Sequence, residues 1–80
     1  MNAKQIHAAI ATIEERIGNG VKVEIFRRGR DLVIHFFFFN IETTFVEYIN
    51  DAQDMDDQEA EQAMEDKINK VQEAYEKLSR

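Results

Sequence analysis

The chain has no cysteine and no proline, and only three glycines among 80 residues. Without cysteine there is no disulfide and no thiolate metal site to staple the fold. Without proline, no helix or strand is interrupted from within. Gly18, Gly20 and Gly29 form no phosphate-cradling loop. His7 and His35 are the only histidines, and neither stands in a His, Asp or Glu set at metal-ligand spacing. Ser79 is the one serine, so a serine nucleophile placed beside a base is not available. These absences remove the familiar routes to covalent, metal-assisted and nucleotide chemistry. The expectation is a protein that is not an enzyme and takes no cofactor or metal. No apolar run approaches the ~20 residues of a membrane span, and the opening MNAKQIHAAIATIEER lacks a signal-peptide core. A cytoplasmic protein with no membrane contact is expected.

What is present is organised around Leu32–Phe39, LVIHFFFF. In a strand, Leu32, Ile34, Phe36 and Phe38 share one face, and Val33, His35, Phe37 and Phe39 the other. Both faces are apolar apart from His35. Such a strand must be covered twice or meet a partner.

The rest of the chain supplies the cover. Ala3, Ile6, Ile10, Ile13 and Ile17 form one helical stripe, with Asn2 as its N-cap and Gly18-Asn19-Gly20 as its stop. Val21, Val23 and Ile25 alternate with Lys22, Glu24 and Phe26 as a half-buried strand. Arg27–Asp31 reads as the turn into Leu32–Phe39, making an antiparallel hairpin. Asn40-Ile41-Glu42 is a second turn. TTFVEYI, residues 43–49, has strand propensity, yet Ile41, Phe45, Ile49 and Ala52 also suit a helix. A third strand is the reading adopted, with a helix as its rival. From Asp56 or Asp57 a helix runs to about Leu78 on Ala60, Met64, Ile68, Val71, Tyr75 and Leu78, a heptad seam from Met64 onward. The expected fold is a single α+β domain, residues 1–80. It has two layers, a small antiparallel meander and two helices, in the order α-β-β-(β or α)-α. With both helices on one face, Val33, Phe37 and Phe39 would be left showing as a homodimer face.

Charge is distributed unevenly. The net charge is −6, and residues 41–80 hold twelve acids against four bases. Asp51, Asp54, Asp56, Asp57, Glu59, Glu61, Glu65 and Asp66 fall in a stretch of sixteen residues without one base. Acids in the first turns of a helix complement its dipole, and Asp66–Lys70 and Glu73–Lys77 are favourable i,i+4 pairs. Those effects explain much of the pattern but not the missing bases. A calcium loop starting at Asp54 fails at its sixth position, where Glu59 replaces the required glycine. Lys22, Arg27, Arg28 and Arg30 could touch phosphate, but the acidic balance argues against direct nucleic-acid binding.

Size, lack of cysteine and the stretch DAQDMDDQEAEQAMED resemble, in type rather than by motif, the small acidic inhibitors of phages, including anti-CRISPR proteins and other DNA mimics. The resemblance implies a partner: a basic nucleic-acid-binding host protein whose DNA site the eight acids would block. The alternative is a homodimeric assembly module, using the phenylalanine-rich sheet face or the heptad seam.

Overall fold

A computed structural model describes residues 3–18 and 20–79. The expected cap Asn2 and the turn residue Asn19 lie outside the described residues. Helix α1 spans Ala3–Ile17, strands β1, β2 and β3 span Val21–Arg28, Asp31–Phe38 and Thr43–Ile49, and helix α2 spans Asp57–Leu78. A short 3-10 turn, Ala52–Asp54, precedes α2. The strands form one antiparallel sheet in the order β1-β2-β3. The architecture is therefore α+β, with a three-stranded meander and a helix at each end.

Residues 43–49 are strand. Phe45 pairs with Phe36 and Ile49 with Leu32, and exposure alternates along β3. The helical spacing of Ile41, Phe45 and Ile49 is misleading for a simple reason. Steps of four are also multiples of two, so the same residues share one face of a strand.

Both turns match the sequence in place but are tighter or differently strained. β1 runs on to Arg28 and β2 starts at Asp31, leaving a two-residue loop, Gly29-Arg30. Gly29 takes φ 63° at the first central position, the conformation glycine supplies without steric cost. In the β2–β3 turn Glu42 takes the left-handed region, at φ 49°.

The core lies between the sheet and the helices. Leu32, Ile34, Phe36 and Phe38 are all at most 2% exposed and cluster with Ala9 and Ile13 of α1 and Met64, Ile68 and Val71 of α2. Both helices therefore cover the same sheet face. Phe38 stacks on Tyr75, centroids 4.4 Å apart with planes at 15°. Each fully buried large side chain of this kind stabilises by about 1.5–3 kcal/mol. This packing corrects one expectation. Met64, Ile68 and Val71 of the heptad seam are buried against the chain's own sheet, so the seam is not a dimer surface. A stripe with steps of four and three serves a helix on a sheet as well as a coiled coil.

Candidate binding surfaces

Two surfaces remain, one charged and one aromatic, on opposite sides of the molecule.

The eight acids separate into two groups. Those near the sheet are engaged within the chain. Arg30, in the β1–β2 loop, hydrogen-bonds Asp54 and lies 3.9 Å from Asp51. The hydrogen bond and charge of Asp54, with the charge of Asp51 behind them, hold the Arg30 guanidinium above its ordinary range. The Asp51 amide donates to the Asp31 carboxylate at 2.8 Å, and the Gln53 amide donates to the Arg30 carbonyl at 3.2 Å. The 3-10 turn is thus fastened to the hairpin tip. Asp56 is the N-cap of α2, its carboxylate accepting from the Glu59 amide at 2.8 Å. That backbone hydrogen bond lowers the Asp56 pKa below the ordinary 3.8. Glu65 pairs with Arg16 of α1 at 2.6 Å, and Arg16 also donates to Asn69 at 3.1 Å. This arginine ties the two helices together.

The second group faces solvent. Asp57, Glu59, Glu61 and Asp66 are exposed on α2, and none forms an ion pair among the described residues. Asp66 accepts instead from Gln62 at 3.0 Å. The expected Asp66–Lys70 and Glu73–Lys77 ion pairs are absent among the described residues. Lys70 and Lys67 reach the other way, to Glu47 on the covered face of β3, at 3.1 and 3.7 Å. A sequence pattern that places a base four residues from an acid does not see a carboxylate arriving from a strand. Two of these acids, Asp57 and Glu61, join Lys4, Gln5, Ala8, Ala9, Thr12, Met64, Glu65 and Ile68 in lining an open groove of about 530 Å³ between α1 and α2.

The opposite surface is the uncovered side of the sheet. Register puts Phe26, Val33 and Tyr48 in one cross-strand row, Glu24, His35 and Val46 in the next, and Lys22, Phe37 and Thr44 in a third. Phe26, Phe39, Val46 and Tyr48 are 40–56% exposed. Phe26 meets His35 edge-on at 5.1 Å, and Phe37 meets Phe39 at 4.8 Å. The expected face of Val33, Phe37 and Phe39 is only partly right. Phe39 is exposed and Phe37 half-buried, but Val33 is 2% exposed. Val33 is a small side chain in a row between Phe26 and Tyr48, which shield it. The missed residues, Phe26, Val46 and Tyr48, could have been found by carrying the alternation of β2 across to its neighbours.

His7 is exposed on α1 and His35 is half-buried on the open face, and no group of three metal-ligating side chains forms among the described residues. Gln58 and Glu65, which the rejected calcium loop would need, are helical, and Asp56 is occupied as a cap. Of the basic turn, Arg30 is engaged by Asp51 and Asp54, and Lys22 lies 3.5 Å from Glu24. No helix among the described residues is long and apolar enough to cross a membrane. No protein family, curated protein or solved structure matches the chain.

Proposed function

We propose that this chain is a non-enzymatic binding protein that seats the acidic first half of α2 in the basic groove where another protein takes up nucleic acid. The observation that supports this reading is the set Asp57, Glu59, Glu61 and Asp66, exposed and without ion pairs among the described residues. Nine residues of helix separate its ends, which is ~14 Å at 1.5 Å per residue. One strand of duplex DNA presents a phosphate every ~3.4 Å along the axis. At 3.6 residues per turn Asp57 and Glu61 lie on the flank toward α1 and Glu59 and Asp66 on the far side, so each flank offers two carboxylates over that length. Electrostatic steering would speed the encounter, and displaced DNA would be the consequence. In this reading the protein acts stoichiometrically in the cytoplasm, in the manner of a phage-type inhibitor that imitates DNA.

The test is reversal of Asp57, Glu59, Glu61 and Asp66 to lysine. All four are exposed, so the fold should survive by circular dichroism, with a lower melting temperature because the reversals at Asp57 and Glu59 oppose the dipole at the start of α2. The parent chain should capture a nucleic-acid-binding protein from cell extract at low salt and release it near 1 M salt, where the Debye length falls to ~3 Å. The fourfold variant should capture none. Equal capture by the variant would end this reading.

A further inference from the structure

We propose that the uncovered face of the sheet is the seat of a second copy of this chain, the two sheets stacking face to face with the acidic helices outermost. The inference is independent of the acid-based reading.

The first argument is area. Phe26, Phe39 and Tyr48 are 44, 56 and 44% exposed. At ~200 Å² per aromatic side chain, these three leave roughly 300 Å² open on one side of one sheet. Val46, at 40% exposure, extends that patch, as do the half-buried His35 and Phe37. The largest apolar patch of an ordinary monomer is ~300–600 Å² and is often functional. Two such faces, with the rim of Lys22, Glu24, Arg28 and Thr44, reach the ~1,000 Å² that a specific interface requires.

The second argument is charge, which selects the occupant. The chain carries −6, so two copies repel unless their acids point apart. On the open face the strands present Lys22 and Arg28 against Glu24 and Asp31, and β3 adds only Thr44, Val46 and Tyr48. The face is neutral and its charges are already neighbours: Lys22 lies 3.5 Å from Glu24, and Arg28 is paired in register with Asp31. A neutral aromatic face offers no pull to a nucleic acid and none to a strongly basic protein. An identical face neither repels nor needs a counter-charge. Stacked sheets pack ~10 Å apart, a spacing that side chains of phenylalanine and tyrosine fill from both sides.

Sedimentation equilibrium of the full chain up to about 1 mM, the weak end of specific association, is the first measurement. The mass should rise with concentration from 9.4 kDa toward twice that value. On dilution, amide resonances of Phe26, His35, Val46 and Tyr48 should shift while those of α2 stay. Val46→Lys buries an unpaired charge in the contact and should raise the dimer dissociation constant at least ~10-fold with the monomer still folded. Since Val46 is exposed in one copy, loss of folding is not expected, and the dilution shifts of the parent chain test the same face without any variant. A chain that stays at 9.4 kDa throughout, a dimer indifferent to Val46→Lys, or dilution shifts confined to α2 would each overturn the proposal.

Discussion

The carboxylate of Glu47 in β3 lies 3.1 Å from the ammonium of Lys70 in α2, on the covered side of the sheet. Its side chain is only 15% exposed, and Lys67 approaches the same oxygen at 3.7 Å. A strand carboxylate thereby draws both lysines inward, away from Glu59 and Asp66 on the outer side of the helix. Glu47→Gln keeps the shape and removes the charge. The expected cost is about 0.5–1.5 kcal/mol, since the pair is partly shielded from solvent. Chemical denaturation measures it. The freed Lys70 would then lie four residues from Asp66 and screen it, so partner affinity should fall a few-fold in the same variant.

The cap of α2 gives a pH prediction. Asp56 accepts the Glu59 amide, and this holds its pKa below the ordinary 3.8. A carboxylate whose pKa is depressed by folding adds stability above its unfolded pKa and loses it as pH falls through the folded value. Asp56→Ala should therefore lower the melting temperature by a few degrees at neutral pH. The difference from the parent should shrink as pH drops below ~4. Thermal melts from pH 7 to pH 2 would show a constant gap if the cap did not act through its charge.

Glu42 supplies a stabilising change. It occupies the left-handed region at φ 49° with a long side chain, at a position where asparagine is tolerated better. Glu42→Asn should raise stability by about 0.5 kcal/mol, or ~2–4 °C in melting temperature for a domain of this size. A drop in melting temperature would mean that Glu42 makes a compensating contact.

The phenylalanine run should behave as two populations. Phe36 is fully buried between sheet and helices, whereas Phe39 is 56% exposed on the open face. Phe36→Ala should cost about 3–5 kcal/mol, a large part of the ~4–12 kcal/mol available to 80 residues. Phe39→Ser should change monomer stability by no more than about 0.5 kcal/mol. Denaturation of the two variants at low concentration separates the faces, and similar losses would contradict the assignment.

How much of this was legible in the sequence depended on range. The alternation in LVIHFFFF and VKVEIF, and the stripes Ile6–Ile17 and Ala60–Tyr75, are local, and they led to the fold. Asp56 as a helix start is likewise a local signal. What failed was set by contacts between distant segments. Val33 is covered because two other strands place Phe26 and Tyr48 beside it. Lys67 and Lys70 of α2 turn to Glu47 because α2 crosses β3. Arg16 and Arg30 take up Glu65, Asp51 and Asp54 from other elements and Asp56 caps its own helix, so of the eight acids four are left exposed and without ion pairs among the described residues. The seam of α2 looked available to a partner only because its own sheet was not in view.

The central claim is that the exposed carboxylates of α2 occupy a site that otherwise holds nucleic acid. It is tested most directly by titrating the chain into a captured partner already bound to fluorescent duplex DNA. The account predicts stoichiometric release of the DNA, weakened by salt and lost when Asp57, Glu59, Glu61 and Asp66 are reversed to lysine. A ternary complex in which chain and DNA stay bound together would contradict it.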